Sequence, residues 1–132
     1  MILVESMGLD NMSASRKVSY LAQALFRSGA LKFGSFKLKS GITSPYYIDL
    51  SWLLSSPVSF KQVIDITAEK ARDIASSVKV DKLASIELKG ALLLPSIACE
   101  LDVPCLVVRK ETKRYGLTGR IAGGEVKRGD HI

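Results

Sequence analysis

Hydrophobic residues recur with helical spacing near the start of the chain. They fall at positions i, i+3, i+4, i+7 and i+8 and are Val18, Leu21, Ala22, Leu25 and Phe26. This spacing places them on one face of a helix. Ser13 or Ser15 supplies an N-cap, and Gly29 supplies a C-terminal stop. The pattern predicts an amphipathic helix from Ser15 to about Ser28.

The pattern changes to short extended runs between residues 31 and 50. Phe36 and Leu38 alternate with lysines in KFGSFKLKSG, and SPYYIDL follows the turn residue Gly41. A period of two is typical of a strand with one buried face, and glycine marks the turn. The segment is predicted to form a β-hairpin with a lysine-bearing tip.

A second amphipathic helix is predicted to begin at Pro57. Ser56 is a suitable N-cap, and proline is favoured in the first helical turn. Apolar residues continue at helical spacing from Phe60 to Val78. The opposite face carries charged residues four positions apart, which are Lys61, Asp65, Glu69 and Asp73.

A βαβ unit is predicted after this helix. We expect a short buried strand from Lys82 to Ile86, a helix from Gly90 to Leu101 and an apolar strand from Pro104 to Arg109. Proline fits poorly inside a helix. The helix is therefore predicted to begin late, with Pro95 in its first turn. Strand, helix and strand in this order indicate a parallel sheet in an α/β fold.

The two ends of the chain carry weaker patterns. Residues 1–14 are interpreted as a loose extension and residues 15–132 as one domain.

The stretch 109–128 is rich in lysine, arginine and glycine and predicts a mobile basic loop. Gly129 and Asp130 predict a turn into another strand. We therefore expect the chain to be the N-terminal portion of a longer fold whose C-terminal part is missing.

The composition excludes several classes of protein. Of the 132 residues, 47% are hydrophobic and 24% are charged, which excludes disordered, collagen-like and disulfide-stapled chains. The formal net charge of +6 favours an anionic partner, which is a nucleic acid, an acidic membrane surface or a phosphorylated ligand. Cys99 and Cys105 form no disulfide framework, so the reducing cytoplasm is the expected compartment. His131 is the single histidine, which leaves no Cys/His cluster for zinc. No apolar run is long enough to cross a membrane.

The hairpin carries two candidates for ligand binding. Lys39 at its tip can present an ammonium to a carboxylate or phosphate, although a lysine beside a turn glycine is more often simply solvated. Tyr46 and Tyr47 follow a proline, and one of them can cover a planar ring. Strand alternation predicts instead that one tyrosine faces the core and the other faces outward.

The strand ends carry candidates for binding an anion. Lys89 follows the first predicted strand of the βαβ unit, where parallel sheets bind ligands and helix N-termini attract anions. Arg109 and Lys110 end the second strand, and a basic, glycine-flanked loop follows. Such an arrangement suits a site that binds polyphosphate and closes over it. A solvated charge run and a nucleic-acid patch are the alternatives.

Two motifs together resemble one enzyme family. KFGSFKLKSGITSPYYIDL, followed further along the chain by VRKETKRYGLTGRIAGG, is similar to the orotate phosphoribosyltransferases, including the orotate-handling half of animal UMP synthase. The resemblance covers Leu25 to the end of the chain. It implies a type I phosphoribosyltransferase fold, with a parallel sheet, flanking helices and an N-terminal hood.

The resemblance also implies a reaction. Orotate would be joined to the ribose of 5-phosphoribosyl 1-diphosphate (PRPP) with Mg²⁺, which is held mainly through PRPP. The products would be orotidine 5′-phosphate and pyrophosphate, in the biosynthesis of pyrimidines and UMP. The partners would be orotate, PRPP and a second copy of the chain, because the family's catalytic loop works across a homodimer. Neither nucleic acid nor a membrane is an expected partner.

The resemblance assigns roles to individual residues. Lys39 matches a hairpin lysine near orotate and PRPP, and Tyr46 and Tyr47 match paired aromatics that line the orotate ring. Lys89 matches the lysine of the pyrophosphate-binding turn. The diphosphate-binding cations of the family are matched by Arg109, Lys110 and Lys113.

The basic loop carries the implied catalytic residue. Lys113 matches the catalytic lysine of that loop, and Tyr115 stands where many relatives have histidine. Two features depart from the family. Relatives usually have a glycine near Ser85 that this turn lacks, and the acidic PRPP-binding signature, which would follow Ile132, is absent from the sequence.

Other functions compete with this interpretation. A phosphoribosyltransferase for another base is disfavoured by the LKSG and SPYY motifs. A nucleic-acid module is disfavoured because the basic residues concentrate on one glycine-rich loop rather than along a stripe with aromatics. A non-catalytic, truncated binding or regulatory protein of the same fold is the main alternative.

Overall fold

The computed structural model describes residues 9–116 and 119–132 and divides the chain into two compact units, Met1–Ile66 and Thr67–Ile132. The predicted assignment of residues 1–14 to an extension and 15–132 to one domain stays a prediction. The described residues form three α-helices and five strands, in the order helix, two strands, helix, strand, helix and two strands. Among the described residues, no helix is long and apolar enough to cross a membrane.

The first helix confirms the sequence prediction. α1 spans Ala14–Arg27, and the Ser13 hydroxyl accepts a hydrogen bond from the Arg16 N–H at 3.4 Å. Ser13, rather than Ser15, is therefore the N-cap. Gly29 follows the helix with φ of +77°, a conformation that only glycine adopts without strain.

A two-stranded antiparallel hairpin follows α1, as predicted. β1 spans Leu31–Lys37 and β2 spans Thr43–Ile48. Its tip is closed by main-chain hydrogen bonds, from the Leu38 N–H to the Ile42 carbonyl at 2.8 Å and from the Gly41 N–H to the Leu38 carbonyl at 2.9 Å. A 3₁₀ helix, Leu50–Ser55, then buries Leu53 completely.

The second long helix begins where the proline predicts. α2 spans Pro57–Ala75, and the Phe60 N–H donates to the Ser56 carbonyl at 2.8 Å. It ends before Val78, which is exposed, so the apolar pattern overestimates its length. The most buried apolar side chains of α2 are Val63, Ile64 and Ala68.

The second unit contains the predicted parallel pair. β3 spans Leu83–Ile86 and β4 spans Cys105–Lys113, and α3, spanning Lys89–Leu101, connects them. A fifth strand, β5, spans Gly119–Ala122 and pairs antiparallel with β4. The order in this sheet is β3, β4, β5.

Two predictions within the βαβ unit are wrong. α3 begins at Lys89, so Pro95 lies inside the helix rather than in its first turn. Proline removes one N–H donor, and the burial of Leu94 and Ala98 on the same helix offsets that loss. β3 is not buried, because Ile86 is 65% exposed and only one edge of β3 pairs with a strand among the described residues.

The predicted mobile basic loop is also wrong in part. Residues 109–113 extend β4, and residues 119–122 form β5. Arg120 contributes to this pairing, because its guanidinium donates to the main-chain carbonyls of Arg109 and Lys110 at 3.2–3.4 Å. Cross-strand hydrogen bonds of arginine therefore order a segment that looks like a loop from its charge and glycine content.

The predicted turn at residues 129–130 is present and is tied to the start of β3. The Asp130 carboxylate pairs with the Lys82 ammonium and accepts the Lys127 N–H at 2.7 Å. The Asp81 carboxylate accepts the His131 N–H at 3.0 Å, and the His131 carbonyl accepts the Asp81 N–H at 2.8 Å. The last two residues form no strand in the described part of the chain.

We expect Asp130→Asn to remove a stabilising contribution that depends on pH. The Lys82 ammonium, and then the Lys127 N–H, hold the pKa of the Asp130 carboxyl below its ordinary value. The folded protein therefore gains stability above the unfolded pKa, which is about 3.9, and loses it as the pH falls through the lower folded pKa. The melting temperature of the unmodified chain should exceed that of the variant near neutral pH, and the gap should narrow below about pH 4.

A matched control is Asp73→Asn, on the exposed surface of α2. We expect this variant to melt like the unmodified chain at both pH values, because surface substitutions away from special contacts change stability little. An Asp130→Asn effect that is equally large in acid and at neutral pH would contradict a role for the carboxylate charge.

Candidate active site

The hairpin presents both of its tyrosines to solvent. Tyr46 is 51% exposed and Tyr47 is 43% exposed, so the prediction that one of them faces the core is wrong. Neighbouring residues of a strand point to opposite faces. The Tyr47 ring lies 5.6 Å from the Phe36 ring, and Tyr46 pairs across the strands with Phe33. Each face of the hairpin therefore offers an exposed aromatic surface.

The hairpin tip holds Lys39 in the predicted position. Lys39 is exposed and lies in the closed turn between β1 and β2, where Gly41 has φ of +87°. This φ requires glycine, so the turn geometry explains the order Lys39-Ser40-Gly41. The structure thus places an ammonium at the end of a hairpin whose faces carry aromatic rings.

The turn between β3 and α3 places Lys89 at a helix start. Lys89 is the first residue of α3, and the preceding residue, Leu88, makes no side-chain capping bond. The first N–H groups of a helix lack partners within the helix. The peptide bond between Glu87 and Leu88 is cis.

Ser85 and Gly90 approach each other closely across this turn. A Cβ atom at Gly90 would lie 2.8 Å from the Cβ of Ser85, so only glycine fits there. The Ser85 hydroxyl oxygen is buried and has no hydrogen-bond partner in the structure. The close approach of Ser85 is thus accommodated by the glycine five residues later.

Hydrogen bonds from two other elements fix the main chain of Arg109 and Lys110, in the part of β4 that extends beyond β3. The Lys110 N–H donates to Oε1 of Glu87 at 2.8 Å. Arg109 donates from its guanidinium to the Gly119 carbonyl at 3.4 Å, and Arg120 returns bonds to the carbonyls of Arg109 and Lys110. The sequence predicts the two cations as ligand contacts but gives no local signal for Glu87 and Arg120, because the partners of these residues are defined only by strand register.

The remaining predicted residues lie where β4 leaves the sheet. Lys113 ends β4, and its main chain pairs with Gly119. Its side chain lies outside the described part of the structure, as do residues 117 and 118. Tyr115 lies in the connection to β5 and is 83% exposed.

The topology groups the predicted cations in two sets. β3 and β4 are parallel and adjacent, so the turn that carries Lys89 and the segment of Arg109 and Lys110 leave the same edge of the sheet. Lys39, Tyr46 and Tyr47 belong to the first unit. A group of lysine and arginine residues at a strand end is suited to binding a polyanion.

No metal centre is present among the described residues. In residues 9–116 and 119–132, no group of three or more histidine, cysteine, aspartate or glutamate side chains is arranged to hold a metal ion.

Known proteins are similar to this chain in both sequence and fold. No protein-family model matches it. The orotate phosphoribosyltransferase of Pyrococcus furiosus is 38% identical over 112 residues, which are 85% of this chain and 60% of the relative. The crystal structure of orotate phosphoribosyltransferase from Aeropyrum pernix matches with a TM-score of 0.65 and 29% identity, and covers 81% of this chain and 59% of that one. The structure of Leishmania donovani UMP synthase matches with a TM-score of 0.68 and 33% identity, over 89% of this chain and 24% of that one.

The chain is orotate phosphoribosyltransferase-like. The likeness confirms the predicted type I phosphoribosyltransferase fold, with its α/β architecture. The chain spans about 60% of the length of curated relatives such as the orotate phosphoribosyltransferases of Pyrococcus abyssi and Pyrococcus furiosus.

Proposed function

We propose that the protein transfers the 5-phosphoribosyl group of PRPP to orotate and releases orotidine 5′-phosphate and pyrophosphate. This is a step of pyrimidine biosynthesis that leads to UMP. One structural observation supports the proposal most strongly. The main chain of Arg109 and Lys110 is fixed by hydrogen bonds at the edge of the sheet where the turn of Lys89 also begins.

The cations at this edge would bind the diphosphate of PRPP. As the bond between the ribosyl carbon and pyrophosphate breaks, negative charge grows on the leaving group. Arg109, Lys110 and Lys113 would stabilise that charge, and fixed cations do so without reorganising during the reaction. Because the charge is larger in the transition state than in the ground state, these contacts lower the barrier.

The hairpin would bind the base. Orotate is planar and carries a carboxylate, so an aromatic ring and an ammonium are complementary to it. Tyr46 or Tyr47 would cover the ring, and Lys39 would contact the carboxylate of orotate or an oxygen of PRPP. Both tyrosines are exposed on the hairpin, which leaves their rings accessible to a ligand.

Mg²⁺ would arrive with PRPP. The described residues offer no ligand set of their own for the ion, whereas diphosphate oxygens are the hard ligands that Mg²⁺ prefers. When bound, the ion would neutralise part of the diphosphate charge. The proposed assembly is a homodimer in the cytoplasm in which the segment that carries Lys113 completes the partner's site.

A coupled assay for pyrophosphate tests the function. We expect pyrophosphate release that requires orotate, PRPP and Mg²⁺ together, and no release when adenine replaces orotate. Binding of both ligands without release would support the alternative, a non-catalytic binding protein of this fold. Binding to nucleic acid that weakens linearly on a log-log salt plot, with no effect of orotate or PRPP, would contradict the proposal.

A further inference from the structure

At the end of the parallel ladder between β3 and β4, a side chain replaces a main-chain hydrogen-bond acceptor. The Glu87 N–H donates to the Val108 carbonyl at 3.0 Å, which is the last main-chain bond from this side of the pair. In a regular parallel ladder the next donor on β4 would be the Lys110 N–H, and its acceptor would be the Glu87 carbonyl. The chain turns into α3 at this point, and Oε1 of Glu87 accepts the Lys110 N–H at 2.8 Å instead.

The main-chain carbonyls of Arg109 and Lys110 also accept hydrogen bonds, from the guanidinium of Arg120. Nη2 of Arg120 donates to the Lys110 carbonyl at 3.2 Å, and its Nε donates to the Arg109 carbonyl at 3.3 Å. The main chain of Lys110 is therefore fixed on both sides, by a carboxylate from the turn after β3 and by a guanidinium from β5. Charged groups make the stronger class of protein hydrogen bonds.

We propose that Glu87 is a positioning residue that fixes the main chain of Lys110, and through it the direction of the diphosphate-binding cations. This inference rests on the proposed function, in which Arg109 and Lys110 bind diphosphate. A carboxylate placed among cations opposes anion binding through its charge. Its hydrogen bond to the Lys110 N–H holds β4 in register beyond the end of β3.

Three substitutions separate the hydrogen bond from the charge. Glu87→Gln keeps an oxygen acceptor and removes the negative charge, whereas Glu87→Ala removes both. Glu87→Asp keeps the charge but shortens the side chain by one methylene, and we expect this to move the carboxylate out of hydrogen-bond distance of the Lys110 N–H. Comparing Glu87→Gln with Glu87→Ala tests the hydrogen bond between two neutral side chains. Comparing the unmodified protein with Glu87→Asp tests it between two charged side chains.

Isothermal titration calorimetry measures the affinity of each variant for inorganic pyrophosphate in the presence of Mg²⁺. A melting curve measures stability, and hydrogen exchange measures the protection of the Lys110 amide. We expect Glu87→Gln to bind at least as tightly as the unmodified protein and Glu87→Ala to bind about fivefold more weakly than Glu87→Gln. Glu87→Asp should bind more weakly than the unmodified protein. The Lys110 amide should exchange faster in the Ala and Asp variants, at unchanged melting temperature, because the Glu87 bond is on the surface.

Equal pyrophosphate affinity in Glu87→Ala and Glu87→Gln would overturn the positioning role, as would an unchanged exchange rate of the Lys110 amide in Glu87→Ala. Failure of the unmodified protein to bind pyrophosphate would instead contradict the proposed function. The exchange experiment requires no ligand, so these two failures are distinguishable.

Discussion

Lys113→Ala is expected to lower turnover by about a hundredfold to a thousandfold, in protein that shows the proposed activity. The Lys113 ammonium would contact the diphosphate as its bond to ribose breaks, so the contact is stronger in the transition state than in the ground state. Orotate binding should change far less than turnover. Steady-state kinetics with PRPP and orotate, together with a melting curve, measure both effects.

Arg114→Ala is the matched control for this prediction. It removes one positive charge from the next residue of the same basic segment, and its side chain is exposed. We expect a much smaller loss of turnover in this variant, because a general loss of charge weakens long-range attraction but removes no donor at the leaving group. Equal losses in the two variants, or near-normal turnover in Lys113→Ala, would contradict a catalytic role for Lys113.

The proposed homodimer makes a separate prediction from the same variant. If the loop of one subunit completes the site of its partner, subunits with Lys113→Ala and subunits with Lys39→Ala complement each other. A hybrid dimer then contains one site in which both lysines are intact. Mixing the two variants after denaturation and refolding should give more activity than either alone. A mixture no more active than its parents would contradict the shared site and leave the role of Lys113 in place.

Local patterns predicted most of the secondary structure. α1, the hairpin of β1 and β2 and the start of α2 depend on caps, turn glycines and short-range periodicity, which lie within a few neighbouring residues. The interior Pro95 was misplaced because burial elsewhere on α3 outweighs one lost hydrogen bond. Charge and glycine content predict a loop over residues 109–128, whereas residues 109–113 and 119–122 lie in strands. Their order comes from cross-strand contacts, which no local window contains.

The candidate site was predictable where single residues carry the chemistry. Lys39 lies in the turn where the sequence placed it. Arg109 and Lys110 lie inside β4 rather than at its predicted end, because the strand continues to Lys113. Glu87 was missed because its significance depends on the register of β3 against β4, which brings its carboxylate to the Lys110 N–H. The exposure of both tyrosines was also missed, since alternation predicts opposite faces but not which face is covered.

Lys39→Ala is expected to lower kcat/KM for orotate or PRPP by about tenfold to a hundredfold, which is the value of one charge-assisted hydrogen bond to a ligand. The melting temperature should stay nearly unchanged, because Lys39 is exposed at a turn whose closure depends on main-chain bonds of Leu38, Gly41 and Ile42. The matched control is Lys37→Ala, which removes the same charge from an exposed position at the end of β1. If the ammonium contacts the ligand, Lys39→Ala loses activity and Lys37→Ala keeps it, since a loss of general positive charge would affect both. Unchanged kinetics in Lys39→Ala would make Lys39 an ordinary solvated turn residue and would leave the aromatic faces of the hairpin as its contribution to binding.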